Sequence, residues 1–210
     1  MAVVTITRQY GAGGSPVARL VAGTLGWTVI DNEFVGQVAQ RAGLPVEEVA
    51  AREERAPSLM QRLVRALATA SPEVFVPDAR AEGESEEESI VRVAERIIAE
   101  AAAHGRVVLV GRGAQAYLAS ARQEDALHAY VVAPREVRVR EVMQRLTLDE
   151  KQAAATCDAT DADRDRYVQR HYGRQRQDPA NYHLVLNTGW LGYDGAADLI
   201  VAAARRRGWR

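Results

Sequence analysis

The chain has little cysteine and almost no lysine, and both shortages limit its chemistry. Cys157 is the one cysteine among 210 residues, so neither an intrachain disulfide nor a zinc site with several cysteines can form. Lysine and arginine together number 27, and Lys151 is the one lysine. A reaction that needs a lysine must therefore use Lys151 or replace it with another cation.

Long apolar runs and an excess of charge of one sign are also missing. No segment approaches the roughly 18 consecutive apolar residues that span a bilayer, and the N-terminal stretch MAVVTITRQYG lacks the features of a secretory signal. The net charge of −1 gives no overall field to attract nucleic acid or an anionic membrane. We therefore expect a cytoplasmic protein without membrane or nucleic-acid partners.

Five short apolar segments alternate with helical patterns along the chain. They occupy residues 3–7, 27–30, 107–110, 129–132 and 184–186. Continuous apolar, β-branched runs between helices are typical of a parallel sheet that is covered on both faces. The sequence therefore predicts one α/β domain over residues 1–210, with a five-stranded parallel sheet between two layers of helices. After the fourth strand, helices are expected at 134–146, 149–157, 163–172 and 194–206.

One stretch, at about 56–89, departs from this pattern. Three prolines interrupt it, and its acidic part, residues 78–89, has almost no large apolar side chain. Such a composition predicts an insertion or a mobile loop. A solvated surface segment without a function of its own is the favoured interpretation of the acidic run.

A glycine-rich turn, RQYGAGGS at residues 8–15, follows the first strand and precedes a helix. Backbone N–H groups and the helix dipole make such a turn attractive to anions. The full phosphate-binding pattern is G-x-x-x-x-G-K-[ST]; here Arg8 replaces the first glycine and Gly14 replaces the lysine. We predict phosphate binding by this loop, with a purely structural turn as the alternative. The predicted phosphate-binding residues are Gly11, Ala12, Gly13, Gly14 and Ser15.

Polar residues lie within two positions of the ends of three of the strands. Asp31 follows the second, Arg112 the third, and Asn187 the fifth. Ligands bind at the carboxyl ends of the strands in open parallel sheets, so these side chains are candidates for a binding site. For Asp31, a cap at the start of the following helix is the alternative interpretation.

Four segments resemble the cytidylate kinase-like family of P-loop nucleotide kinases. They read TITRQYGAGGSPVA, VVLVGRGAQAYL, AYVVAPREVRVREVMQR and DADRDRYVQRHYGRQRQDPANYHLVLNTGWLG. The resemblance covers most of the chain except residues 43–89. It implies a P-loop NTPase-type α/β/α fold with a helical lid at about 147–180.

The same resemblance implies a function. It implies nucleotide substrates, with ATP and Mg²⁺ as cofactors, and phosphoryl transfer to a nucleoside monophosphate, CMP or dCMP. A non-catalytic nucleotide-binding or regulatory module, and a kinase for another small acceptor, are the alternatives. A homodimer is left open.

The resemblance also assigns roles to individual residues. The glycine loop would hold the ATP phosphates, and Ser15 would be a ligand of Mg²⁺, with a helix N-cap as its alternative role. Asp31, Arg112 and Asp163 would contact the acceptor. Gly113 stands where the family's Gly-Arg-Asp element has its aspartate.

The lid would supply arginines to the phosphates. The candidates are Arg164, Arg166 and Arg170, with Arg174 and Arg176 beyond them. Arginines of the preceding helix are weaker candidates, for which a solvated face is the favoured interpretation: Arg135, Arg138, Arg140 and Arg145.

Arg166 and Arg170 lie one helical turn apart and are the predicted clamps, and Asp163 and Arg166 match the family's D-x-x-R pattern before Tyr167. Because the loop lacks its lysine, Arg8 or a lid arginine is expected to provide the missing positive charge. A solvated helix face is the alternative for any single lid arginine.

Overall fold

Five strands form one sheet, and all of them run parallel. The computed structural model describes residues 2–31, 86–111, 113–123 and 125–209. Within them the strands are β1 (Val3–Arg8), β2 (Thr28–Asp31), β3 (Val107–Val110), β4 (Ala126–Val132) and β5 (Leu184–Asn187). Their order in the sheet is β2-β3-β1-β4-β5, with β1 flanked by β3 and β4. This confirms the predicted parallel sheet.

Helices cover both faces of the sheet, because alternate strand side chains point to opposite faces. The helices of the described ranges are α1 (Gly14–Leu25), α2 (Glu86–His104), α3 (Ala114–Ser120), α4 (Arg135–Leu146), α5 (Glu150–Tyr172) and α6 (Thr188–Arg206), with a 3-10 turn at Pro179–Asn181. Val4 and Ile6 pack with α1 and α6 in one apolar cluster, whereas Val3 packs with α2 and α3 in another. The predicted three-layer α/β/α arrangement is therefore confirmed.

Helices α4 and α5 pack against each other around a small apolar core of their own. Val142 of α4 and Cys157 of α5 are fully buried in that core. Burial raises the pKa of the Cys157 thiol above its ordinary value, so the thiol is held in its neutral form. Helix α5 opens with a capping box between Asp149 and Gln152 and continues to Tyr172, where the sequence predicted two shorter helices.

Other element boundaries also differ from the sequence prediction, several of them by one residue. Strand β4 begins at Ala126 rather than residue 129. The polar His128 interrupts the apolar pattern of the sequence, but its side chain is buried in the sheet, where it meets the hydroxyl of Thr5. Helix α2 begins at Glu86, so the last residues of the predicted acidic loop are helical. The rest of the predicted insertion lies outside the described residues. So do three helices that the sequence pattern also predicts, at 33–42, 46–52 and 58–70.

Within the ranges that the structure describes, no helix combines the length and the apolar character that crossing a membrane requires.

Candidate functional site

The glycine loop connects the end of β1 to the first turn of α1 at the carboxyl edge of the sheet. Gly11 and Gly13 both have φ near +80°, a backbone region that favours glycine. Gly13 caps α1 through its backbone, without a side-chain cap. Ser15 is therefore not the N-cap: it is the second residue of the helix, and its hydroxyl is directed elsewhere.

Asp31 receives that hydroxyl at the end of β2. Ser15 Oγ donates to Asp31 Oδ2 at 2.5 Å, and Arg8 Nη2 lies 3.4 Å from Asp31 Oδ1. The side chains of Arg8 and Asp31 are 7% and 16% exposed. The Asp31 carboxylate thus faces the glycine loop, and the helix that it was alternatively expected to cap lies outside the described residues.

The neighbouring strands hold the loop through polar contacts. Gln9 donates its backbone N–H to Val131 O at 3.0 Å, and its Oε1 accepts from the N–H of Ala133 at 3.1 Å. From the start of α6, Thr188 Oγ1 donates to Ala12 O at 2.7 Å. These bonds fix the shape of the loop from the sides of β4 and β5.

Asp161 on α5 binds the loop from the side of the lid. Its Oδ1 accepts the backbone N–H of Tyr10 at 2.9 Å. Its Oδ2 accepts from Arg138 Nη1 at 2.8 Å, while Arg176 and Arg164 lie 3.4 Å and 3.6 Å from its Oδ1. One carboxylate thus lies within ion-pair distance of three guanidinium groups and also binds the loop backbone.

The same arginines donate to carbonyl groups of the loop. Arg138 reaches Tyr10 O at 3.2 Å, and Arg176 and Arg164 reach Arg8 O at 2.8 Å and 3.1 Å. Burial by itself would lower the pKa of Arg176, but Tyr130, Asp165 and Asp161 outweigh it and raise that pKa. Arg176 therefore keeps its positive charge although its side chain is almost completely buried.

Sequence reasoning overlooked Asp161. It named Arg164 and Arg176 among the lid candidates and Arg138 as a weaker candidate on the helix before the lid. A signal for Asp161 was present, since Cys157, Asp161, Arg164 and Val168 follow one another at spacings of four, three and four. That spacing places all four on one helix face. The outer members, Cys157 and Val168, are buried, so this is the inward face of α5.

The predicted clamps Arg166 and Arg170 lie on the exposed side of α5. Arg166 forms an ion pair with Asp163, with side chains 74% and 67% exposed. Arg166, Arg170 and Arg174 line an open cavity of about 810 Å³ on the outside of the lid. The structure therefore does not bring Arg166 and Arg170 to the glycine loop. The side chains of Arg164 and Arg176 reach it instead.

A second cavity, of about 460 Å³, lies between the strand ends and the lid. We call it the edge cavity. Asp163 reaches its wall, so this residue lies at both cavities. Arg112, predicted to contact the acceptor, lies outside the described residues. Polar side chains of the edge cavity include Thr7, Arg8, Gln115, Thr160, Arg164 and Arg176.

The chemistry of the site suits an anion. Guanidinium groups border the edge cavity, and the first turn of α1 directs backbone N–H groups towards the loop. The described ranges contain no group of three or more metal-ligating side chains. Ser15 and Asp31 nevertheless juxtapose a hydroxyl and a carboxylate, the oxygen donors that suit Mg²⁺ when phosphate and water complete its shell.

Known proteins resemble the chain at the level of family and of fold. The model of a family described as the cytidylate kinase-like family matches residues 3–189. A curated protein named uronate isomerase, from Corynebacterium glutamicum, is 33% identical over 112 residues, which is 53% of this chain and 21% of that protein. The match thus spans about a fifth of that relative's length.

Two solved structures are similar along the whole chain. An uncharacterized protein from Eubacterium ventriosum superposes with a TM-score of 0.61 at 20% identity, covering 98% of this chain and 99% of that one. A shikimate kinase from Acinetobacter baumannii has a TM-score of 0.49 at 12% identity, covering 100% and 96%. The first of these similarities shows a shared fold.

Proposed function

Because the chain belongs to the cytidylate kinase-like family, we propose that it transfers a phosphoryl group from ATP to a nucleoside monophosphate, with CMP or dCMP as the acceptor. One observation carries this proposal beyond the family. The glycine loop and an arginine-bordered cavity of about 460 Å³ lie side by side at the carboxyl edge of the sheet, with Arg8 in both. A donor on the loop and an acceptor in the cavity would meet there.

The reaction joins an acceptor phosphate oxygen to the γ-phosphorus of ATP while the bond to the β–γ bridging oxygen breaks and ADP leaves. The transition state is loose, so catalysis consists mainly of positioning and of stabilising negative charge. Backbone N–H groups from Gly11 to Ser15 would hold the donor phosphates. Thr7, Gln115 and Thr160 would contact the acceptor from the cavity wall.

Ser15 and Asp31 are the residues that would hold Mg²⁺. Ser15 Oγ and Asp31 Oδ2 are 2.5 Å apart, so the two oxygen atoms are close enough to face the same ion beside the glycine loop. Bound there, the ion would neutralise charge on the donor phosphates. Asp31 would in addition orient Arg8, whose guanidinium it contacts.

Asp161 and its arginines would keep the loop in its binding shape. Two guanidinium groups donate to the carbonyl of Arg8 and a third to that of Tyr10. These bonds orient the loop carbonyls towards the lid, and phosphate would be bound by N–H groups. A preorganised loop loses little free energy on binding phosphate, because few groups need to be reordered.

The test is an assay of ADP release with MgATP and a panel of nucleoside monophosphates. We expect turnover with CMP or dCMP, and we expect Ser15→Ala to lower it by about 10- to 100-fold, because a group that acts on the phosphates in the transition state is lost. Ser120→Ala is the matched control, since Ser120 is exposed at the end of α3. It should leave turnover unchanged.

Each alternative function has its own outcome. Binding of MgATP in calorimetry without turnover of any acceptor would identify a nucleotide-binding module and overturn the kinase proposal. Turnover confined to an acceptor without a phosphate group would identify a kinase for another small molecule. Equal losses in the two serine variants would remove Ser15 from the site.

A further inference from the structure

Arg8 occupies the space next to Gly14, the residue that stands where a complete phosphate-binding loop has its lysine. A Cβ atom added to Gly14 would lie 2.7 Å from both Cβ and Cγ of Arg8, and 3.2 Å from its Cδ. Non-bonded carbon atoms in proteins make their best contacts at about 3.5–4.0 Å. Any side chain at position 14 would therefore collide with the stem of Arg8, which is anchored on β1.

The far end of Arg8 reaches the end of a neighbouring strand. A Cβ atom added to Gly111, directly after β3, would lie 1.9 Å from Arg8 Nη1. Arg8 Nη2 meets Asp31 at the end of β2 at 3.4 Å. The guanidinium thus lies among the carboxyl ends of β1, β2 and β3, and it borders the edge cavity.

Three residues of the chain are consequently linked by one side chain. Gly14 leaves room for the stem of Arg8, Gly111 leaves room for its guanidinium, and Asp31 provides a counter-charge. Gly14 is not required by its backbone, because positive φ angles in the loop occur at Gly11 and Gly13 instead. The need for glycine at position 14 is steric.

We infer that Arg8 and Gly14 together replace the missing lysine, so that the phosphate-binding cation enters from the end of β1 and not from the first turn of α1. This inference rests on the proposed function, because it requires polyphosphate on the glycine loop. Arginine suits the exchange, since its planar group donates in two directions. One edge can meet Asp31 while another meets a phosphoryl group between the loop and the edge cavity.

The arginines around Asp161 have different partners. Arg176 donates Nε to Asp165 and Nη1 to Arg8 O, and its Nη2 lies near Asp161. Arg138 donates to Ala133 O, Tyr10 O and Asp161. These guanidinium groups hold the backbone of the loop, whereas that of Arg8 lies against Gly111 and Asp31 at the ends of β3 and β2.

The test exchanges the two residues and measures phosphate binding without any acceptor. Dissociation constants for MgATP and for inorganic tripolyphosphate are measured by calorimetry for wild type, Arg8→Ala, Gly14→Lys and the double variant Arg8→Gly/Gly14→Lys. Arg19→Ala is the matched control, because Arg19 is exposed on α1. Thermal unfolding of each variant shows whether it is folded.

The expected pattern is a loss in each single variant and a recovery in the double one. Arg8→Ala should weaken both ligands by about 10- to 100-fold, the range for hydrogen bonds to charged groups. Gly14→Lys should bind weakly and unfold at a lower temperature, because its stem meets that of Arg8. The double variant should return to within about fivefold of wild type, since a lysine then has the vacated space. Arg19→Ala should bind as wild type does.

Several results would overturn the inference. They are wild-type affinity in Arg8→Ala, wild-type affinity and stability in Gly14→Lys, no recovery in a folded double variant, and no binding of either ligand by wild type. If the double variant does not fold, Arg8→Lys decides: affinity between wild type and Arg8→Ala supports a cation at position 8, and affinity equal to Arg8→Ala rejects it. If the binding pattern holds but no monophosphate is turned over, the proposed kinase function fails and this inference stands.

Discussion

Helix α5 carries the same four-residue pattern twice, shifted by two positions. Asp161 and Arg164 form one D-x-x-R pair, and Asp163 and Arg166 form the other. In the first pair the side chains are 15% and 14% exposed; in the second they are 67% and 74% exposed. Identical residues in identical spacing therefore have two different environments.

The helix geometry explains the difference. Successive residues of an α-helix are about 100° apart around its axis, so a shift of two residues turns a pair to the other side. Asp161 and Arg164 follow the buried Cys157, whereas the side chains of Asp163 and Arg166 are mostly exposed to solvent. Residue type alone does not identify which pair has a function, but the helix face does.

The largest effect is expected from Asp161→Asn. It removes the charge that faces Arg138, Arg164 and Arg176, and leaves buried cations with less compensation. Breaking a buried pair by removing one partner costs about 3–5 kcal/mol, and the free energy of unfolding should fall by that amount. Urea denaturation followed by circular dichroism measures it.

Asp163→Asn is the control for that measurement. Its partner Arg166 is exposed, so we expect a change within about 0.5 kcal/mol. Equal losses in the two variants would show that the two faces of α5 are energetically alike.

A smaller effect is expected in catalysis, where Arg164→Ala is compared with Arg166→Ala. Arg164 holds the carbonyl of Arg8, so its loss should disturb the loop and lower kcat/KM by about 10- to 100-fold, as the loss of a charged hydrogen bond does. Arg166→Ala and Arg170→Ala should stay within about threefold, as expected of exposed side chains.

The reverse result would be equally informative. A larger loss in Arg166→Ala or Arg170→Ala than in Arg164→Ala would mean that the lid turns its outer face to the phosphates during the reaction. The sequence-based prediction of these two arginines as clamps would then be right.

Much of the fold could be predicted from the sequence because its strands are continuous apolar runs. Val107–Val110 is buried on both faces, and its four apolar letters identified it. Strand β4 was recognised only in part, because the buried polar side chain of His128 interrupts its apolar pattern. The sequence predicted two helices where the structure has α5, because aspartate and threonine near residue 160 are poor helix formers. In the structure that turn is helical, and Asp161 within it contacts Tyr10 and Arg138.

The site could be predicted less completely, because it depends on contacts between residues that are far apart in the sequence. The glycine loop could be recognised from its pattern, and Asp31 could be recognised from its position after a strand. The collision between Arg8 and a side chain at position 14 could not be seen, because it depends on the path of one side chain across the loop. Arg176 lies in an irregular segment after α5, where no periodicity indicates the direction of a side chain.

The smallest effect concerns how the ion pairs of Asp161 and of Asp163 respond to salt. Double-mutant cycles of Asp161 with Arg138, and of Asp163 with Arg166, give a coupling free energy for each pair. The exposed pair should couple by about 0.2–1 kcal/mol at low salt and lose most of this at 1 M NaCl, where charges are screened within roughly 3 Å. The buried pair, with a distance of 2.8 Å, should keep most of its coupling, since water and ions do not separate its partners. Similar salt dependence in the two cycles would mean that water reaches Asp161, and the distinction between the two faces of α5 would then fail at its most direct test.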